Sequence, residues 1–148
     1  MLDHVFSPIT INGMTLKNRM VVTPMVTDYC NEDGTATEQY IAYHEEKAKG
    51  GFGLIITENH NIAPNGHGFK ATAGLWNDDQ IAGHSELTRR VHQHGSKILA
   101  QIYHCGRQTN SGAIPGMQAR SSSRIACPFS DMMPEPFTTE EVKETVEQ

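Results

Sequence analysis

Three short apolar segments, separated by two amphipathic ones, constrain the fold of this chain more than any other feature. Each apolar segment is rich in Val, Ile or Leu and has the length of a strand that is buried on both faces of a sheet. The three segments cover residues 20–24, 53–57 and 97–102. Because strands that alternate with helices pair in parallel through right-handed crossovers, this order predicts an α/β fold.

The two intervening segments predict helices over residues 37–49 and 78–94. Thr37 is the expected N-cap of the first helix, and Asp78 or Asp79 is the expected N-cap of the second. A glycine follows each segment and supplies the backbone conformation that commonly ends a helix. Both helices are therefore expected to return directly into the next strand.

The predicted loops after the strands are long and polar, whereas the returns from helix to strand are short. The long loops cover residues 58–77 and 103–137, and a capping box of Thr138 and Glu141 predicts another helix after them. The first strand is not followed by the glycine-rich turn of a dinucleotide-binding sheet. We therefore predict the N-terminal part of a (β/α)8 TIM barrel, whose functional face lies at the carboxyl ends of the strands.

The beginning and the length of the chain refine this prediction. Residues 6–16 contain an Asn-Gly pair between two alternating segments, which predicts an N-terminal β-hairpin over one end of the fold. A closed barrel requires at least about 200 residues, whereas this chain has 148. Residues 1–148 are expected to supply the first three strands of one barrel domain and their helices, and the remainder of the barrel is expected to lie outside this chain.

Composition argues against several classes of protein. The chain has 12 Lys and Arg against 17 Asp and Glu, a net charge of -5, which argues against a nucleic-acid-binding surface. It contains neither an apolar run of the roughly 20 residues that span a bilayer nor a secretory signal. Three widely spaced cysteines without a CxxC pair indicate reduced thiols and a cytoplasmic protein.

Polar residues at the predicted strand ends are the first candidates for function. Gln101 offers donors and an acceptor in one plane, which complements a heterocycle with alternating carbonyl and N–H groups, such as the pyrimidine edge of a flavin. An amide that satisfies the loop backbone is the alternative. Glu58 is the single carboxylate at such a position, which disfavours a lyase that uses paired carboxylates.

Other reactive residues are weaker candidates. Cys105 lies beside His104 and Arg107, which could lower the pKa of its thiol and make it redox-sensitive. Arg120 and Arg124 could bind an acidic group such as a CoA phosphate. Packing of the thiol and anchoring of the loop are the alternatives, and we expect no metal site because no histidines or cysteines pair at ligand spacing.

Several motifs, in order along the chain, resemble the Old Yellow Enzyme family. The similarity runs from about Phe6 to the end of the chain and is strongest to bacterial NADH:flavin oxidoreductases, the branch with 2,4-dienoyl-CoA reductases and bile-acid-inducible enoate reductases. The motifs are Phe-Ser-Pro and Ile-Asn-Gly at 6–8 and 11–13, Leu-Lys-Asn-Arg at 16–19, Pro-Met at 24–25, Gly-Gly-Phe-Gly-Leu-Ile-Ile-Thr-Glu at 50–58 and Gln-Ile-Tyr-His-Cys-Gly-Arg at 101–107.

This resemblance implies an FMN-dependent barrel enzyme that uses NAD(P)H to reduce the activated C=C bond of a small-molecule enone, enoate or dienoyl-CoA. Val26 lies where relatives often carry a Thr or Cys that bonds the flavin, and Asn59 lies where a smaller residue is usual. By position, the expected flavin-binding residues are Thr23, Pro24, Met25, Val26, Asn59 and Gln101.

The same resemblance implies that the substrate-anchoring pair, the proton donor, the phosphate site and any Fe–S cluster lie beyond Gln148. We therefore expect the chain alone to be inactive, and no catalytic residue is assigned within it. The alternatives are a non-catalytic fragment and a different TIM-barrel enzyme such as a lyase or aldolase. Neither nucleic acid nor a membrane is an expected partner, and a homo-oligomer is left open.

Overall fold

The computed structural model describes residues 2–148. Two 3-10 turns interrupt the long loop before the third helix, at Pro64–Gly66 and Asp78–Gln80. In chain order the helices and strands are α1 (Asp3–Phe6), β1 (Ile9–Ile11), β2 (Met14–Leu16), β3 (Val21–Val22), α2 (Glu38–Lys49), β4 (Leu54–Asn61), α3 (Ile81–Gln93), β5 (Lys97–Tyr103), β6 (Arg120–Ser121), β7 (Glu135–Pro136) and α4 (Thr139–Glu147).

A three-stranded parallel sheet in the order β3-β4-β5 forms the centre of the fold. Its register pairs Val22 with Ile55, and Ile55 with Ile98. Helices α2 and α3 cover the face of the sheet that carries these three side chains, and apolar burial between the layers stabilises the arrangement. The buried apolar residues of this core are Cys30, Tyr40, Ile41, Ala48, Ile55, Ala73, Leu87 and Val91.

The position at which each helix begins follows from its N-cap. The cap of α2 is the predicted residue, whereas the cap of α3 is not. Thr37 caps α2, and its hydroxyl oxygen accepts the Tyr40 N–H at 3.1 Å. For α3 the prediction of Asp78 or Asp79 is wrong, because the N-cap of α3 is Gln80, without a side-chain cap bond, and Asn77 is the N-cap of the 3-10 turn that precedes the helix. Asn77 has the extended backbone of an N-cap and exchanges hydrogen bonds with Gln80 in a capping box, so the chain enters α3 through a 3-10 turn.

The strands differ from the predicted ones in length and burial. β3 has only two residues, and Pro24, which has no N–H to donate, lies outside it. β4 continues through Asn61 instead of ending at residue 57, so the predicted loop begins at Ile62. β5 is an edge strand with mostly exposed residues, which corrects the expectation that the strand is buried on both faces.

The predicted N-terminal hairpin is present, in β1 and β2. Asn12 and Gly13 both have positive φ, 44° and 85°, as the two central positions of a tight hairpin turn require. Beyond it, Lys17 Nζ donates to the His94 carbonyl at 2.7 Å and Asn18 Nδ2 donates to the Gly51 carbonyl at 2.7 Å. These bonds tie the segment after the hairpin to the residues that precede β4 and β5, at the amino ends of the strands.

The segment from residue 103 to residue 137 is mostly irregular, as predicted. Its regular structure is the two-residue parallel pair of β6 and β7. The capping box of Thr138 and Glu141 then starts α4 as predicted, with the Glu141 N–H donating to the Thr138 hydroxyl at 3.2 Å. Within residues 2–148, no helix is long and apolar enough to cross a membrane.

Candidate functional site

Two amide side chains lie next to each other at the carboxyl ends of β4 and β5. Asn59 and Gln101 are register partners, and partners in neighbouring strands project from the same face of a sheet. Ile98 packs against the helices, and side chains alternate along a strand, so Gln101 projects from the opposite face. The two amides therefore lie on the face that α2 and α3 leave uncovered.

The two amides differ in environment. Asn59 is buried, with 3% of its surface exposed, and within the described residues its Nδ2 and Oδ1 atoms have no hydrogen-bond partner. Leaving such a group unpaired costs about 1–3 kcal/mol. Gln101 is exposed, and no residue of the 2–148 range bonds its side chain. Gln101 is thus open to a ligand with donors and acceptors, whereas the amide of Asn59 is unpaired but enclosed by the surrounding protein.

The other predicted site residues follow β3 in the chain. Thr23, Met25 and Val26 are exposed, and Pro24 is partly buried. Val26 offers no side-chain donor, as expected from its residue type. The segment therefore presents its backbone, the Thr23 hydroxyl and the apolar side chains of Met25 and Val26, near the point where β3 pairs with β4.

A buried carboxylate fixes the end of this segment. Glu58 has 1% of its surface exposed; its Oε2 accepts the Thr27 N–H at 2.5 Å and its Oε1 accepts the Thr27 hydroxyl at 2.9 Å. Burial raises the pKa of Glu58, and the hydrogen bonds from Thr27 oppose that rise. Because both carboxylate oxygens are engaged, Glu58 is an anchor in this structure and not a free acid or base.

Hydrogen bonds join the loop after β4 to the loop after β5 at the carboxyl end of the sheet. The His67 carbonyl accepts both the Thr109 hydroxyl at 2.6 Å and the Cys105 thiol at 3.1 Å. Asn61 Nδ2 donates to the Thr72 hydroxyl at 2.6 Å. These bonds hold the carboxyl end of the sheet in a fixed shape beside the amide pair.

The weaker candidates from the sequence have structural roles. Burial raises the pKa of Cys105 to about 11, which opposes formation of the reactive thiolate. Arg120 forms an ion pair with Glu141, and Arg124 forms one with Glu135 at 3.3 Å. The pair of Arg120 is partly buried, whereas Arg124 is 66% exposed and its guanidinium stays accessible to solvent. Residues 2–148 contain no cluster of three His, Cys, Asp or Glu residues that could hold a metal.

Sequence reasoning missed the buried polar residues around the site. Asn61 and Thr72 are both fully buried, although they lie in a segment predicted as a polar loop. His60 lies on the helix side of the sheet, where its ring is 4.9 Å from the ring of His84 and 6.4 Å from that of Tyr40. A polar run after a strand carries no local signal that distinguishes these buried positions from solvated ones.

Comparison with known proteins identifies the family to which this chain is similar. Residues 4–148 match the NADH:flavin oxidoreductase / NADH oxidase family. The chain is 38% identical over 150 residues to the NADPH dehydrogenase of Bacillus subtilis, covering 100% of this chain and 43% of that protein. It is 37% identical over 146 residues to the NADH oxidase of Thermoanaerobacter brockii, covering 98% of this chain and 22% of that protein.

The fold of the chain also matches that of a solved structure. The structure of the Old Yellow Enzyme homologue from Zymomonas mobilis superposes with a TM-score of 0.86 at 27% identity, covering 97% of this chain and 42% of that one. The match confirms the predicted N-terminal part of a TIM barrel. The chain spans less than half the length of each of these relatives. In fold and sequence alike, it belongs to the NADH:flavin oxidoreductase / NADH oxidase family of Old Yellow Enzymes, of which it represents the N-terminal portion.

Proposed function

We propose that this chain supplies the flavin-ring side of an FMN site in an oxidoreductase that uses NAD(P)H to reduce activated C=C bonds. The observation that carries the proposal is the amide pair, Asn59 beside Gln101, on the uncovered face of the sheet. Family membership supports the same cofactor class. When bound, FMN would supply the redox chemistry by which NAD(P)H reduces the substrate.

The residues present fit an isoalloxazine ring. Its pyrimidine edge alternates carbonyl and N–H groups, which a primary amide matches with both its acceptor and its donors. The unpaired amide of Asn59 is the kind of buried polar group that a ligand would satisfy. Gln101 would bond the pyrimidine edge, and the segment 23–26 would lie along the ring through its backbone.

The alternatives are less well supported. A lyase or aldolase would require an available acid, base or amine at a strand end, but both oxygens of Glu58 are bonded to Thr27. A non-catalytic fragment is the competing proposal, because the chain spans less than half the length of the relatives it matches. The three cysteines, none of which forms a disulfide within the described chain, support a reducing cytoplasmic location.

The proposal is tested by titrating the isotopically labelled chain with FMN and following backbone and side-chain amide signals by NMR. We expect weak, saturable shifts that cluster at residues 23–26 and at the side-chain amides of Asn59 and Gln101. Gln101→Ala should reduce the shifts at the other positions. Gln93→Ala, which removes an exposed amide at the end of α3, is the matched control and should change nothing.

One result would contradict the proposal, and another would contradict the expectation that the chain alone is inactive. Shifts confined to surfaces away from these residues would exclude the assigned site. Tight flavin binding by the chain alone, with oxidation of NADH that depends on an added enone, would instead show that the expectation of an inactive chain is wrong.

A further inference from the structure

β4 contains a bulge immediately before the amide pair. Ile56 is paired with Leu99 and Asn59 with Gln101, so two residues of β4, Thr57 and Glu58, lie opposite one residue of β5. A bulge of this kind changes the direction of side chains and bends the strand. Here it keeps Asn59 in register with Gln101 while it adds Glu58 to the end of the strand.

The added residue is a carboxylate in an unusual setting. Glu58 is almost completely buried, and within residues 2–148 no lysine, arginine or histidine forms an ion pair with it. Burial of a carboxylate without a cation opposes folding unless hydrogen bonds compensate. Its hydrogen-bond partners are the N–H and the hydroxyl of Thr27, at 2.5 and 2.9 Å, and the backbone of Asp28.

These bonds act on the segment that leads from β3 to Thr27. At its beginning, Val22 is held by pairing with Ile55. In the middle, Met25 and Val26 are exposed and have apolar side chains without a hydrogen-bond donor. At its end, the segment is held by Glu58, and Asp28 Oδ1 then accepts the Ala71 N–H at 2.6 Å.

We infer that Glu58 is a positioning residue, which fixes the backbone at Thr27 and so sets where residues 23–26 lie beside Asn59 and Gln101. The inference rests on the proposed flavin site for its functional meaning. The anchoring of Thr27 by Glu58 does not depend on a ligand. Removal of the Glu58 carboxylate should therefore free the Thr27 end of the segment while the sheet stays intact. Glu58 acts through Thr27 and is not itself assigned to the reaction.

The test measures the ligand-free chain of 148 residues by NMR. In Glu58→Ala we expect exchange of the Thr27 amide hydrogen to accelerate by at least about tenfold, because a buried hydrogen bond is lost. The backbone order parameters of Met25 and Val26 should fall from the rigid range, near 0.85, towards the flexible range below about 0.6. Amides of Ile55 and Ile98 in the sheet report on global stability and should keep wild-type exchange rates.

Further variants separate positioning from simple destabilisation. Glu58→Gln retains an acceptor for the Thr27 N–H and should restore most of the protection. Thr27→Val removes only the hydroxyl donor and should loosen the segment less than Glu58→Ala does, whereas Thr27→Ser should resemble the wild type. Glu32→Ala, which removes an exposed carboxylate that pairs with Lys70, is the matched control and should leave residues 23–27 unchanged.

The outcomes distinguish this inference from the proposed function. The inference is wrong if Glu58→Ala leaves the exchange rate of the Thr27 amide within twofold of the wild type and the order parameters of Met25 and Val26 unchanged within error. This holds whether or not FMN binds. If Glu58→Ala does not fold, identical behaviour of Thr27→Val and Thr27→Ser would overturn it. If these variants behave as expected but FMN causes no shifts at residues 23–26, the flavin site fails and the anchoring role of Glu58 stands.

Discussion

At the scale of single residues, the end of β4 is defined by buried polar side chains. Thr57, Glu58, Asn59, His60 and Asn61 are consecutive, and each has 3% or less of its surface exposed. Four of them have hydrogen-bond partners that offset the loss of water, and the amide of Asn59 has none within the described residues. Asn61 Oδ1 also has no partner within the described residues, so Asn59 is the one residue of the five whose whole side-chain amide is unpaired, and it is a proposed flavin-binding residue.

Two buried histidines predict loss of stability in acid. Burial lowers the pKa values of His44 and His60 to about 4, from the ordinary value of 6.5. Since the folded-state pKa is lower than the unfolded one, unfolded chains bind more protons as the pH falls below about 6.5. As the pH falls from 7 to 5, each buried histidine should lower the free energy of unfolding by on the order of 2 kcal/mol, as an upper limit.

Chemical denaturation at pH 7, 6 and 5 measures this effect. His44→Phe keeps an aromatic ring beside Tyr40, whose ring is 4.8 Å away, but removes the titrating group, so its free energy of unfolding should fall less steeply with acid. His92→Phe, at an exposed position of α3, is the matched control. Equal pH dependence of the wild type and His44→Phe would contradict the prediction.

At the scale of elements, the N-caps connect the helices to the site loops. The Thr37 hydroxyl accepts the Tyr40 N–H and also donates to the Tyr29 carbonyl. It therefore holds the start of α2 against the loop that follows β3. Asn77, the cap of the 3-10 turn that leads into α3, occupies the corresponding position after the β4 loop, and Gln80 in that turn donates to the Asp33 carbonyl at 2.8 Å. The two loops at the carboxyl ends of the strands are thus fixed by helix starts.

Replacing the cap of α2 tests this connection. Thr37→Ala should lower the free energy of unfolding by about 1 kcal/mol, because an N-cap bond is lost. Thr37→Ser keeps the hydroxyl and should restore most of that loss. Denaturant titration monitored by circular dichroism gives both values. A Thr37→Ala variant as stable as the wild type would show that the cap contributes nothing.

At the scale of the whole molecule, the sheet has an exposed apolar edge. β5 is the last strand of the order β3-β4-β5, and its Leu99 and Ile102 are 45% and 69% exposed. An edge strand with apolar side chains favours pairing with another chain. We therefore propose that the chain by itself self-associates through β5 into a homo-oligomer.

A charge on this edge tests the proposal. Ile102→Lys should shift the sedimentation profile of the chain towards the monomer, because a lysine opposes edge-to-edge pairing. Val146→Lys places the same charge on α4, at a position that is 81% exposed, and should leave association unchanged. A wild-type chain that is monomeric at all concentrations, or equal effects of the two variants, would contradict this prediction.

The sequence predicted those features that depend on neighbours along the chain. The Asn12–Gly13 turn, the Thr37 cap and the start of α4 at Thr138 depend on residues only a few positions apart, so turn and capping preferences were sufficient. The motif at 101–107 similarly indicated the family that the comparisons then established. Placement of the flavin-binding residues remains a prediction.

Only the tertiary structure decided which polar groups are buried and paired. Glu58 and Thr27 are 31 residues apart, and Arg120 and Glu141 are 21 apart, so neither pair has a local signature. The extension of β4 to Asn61 depends on such partners, because a buried polar side chain opposes folding unless a distant segment supplies its hydrogen bonds. The sequence by itself thus determined the order of the elements and the family, whereas long-range contacts determined the anchored and the unpaired groups of the candidate site.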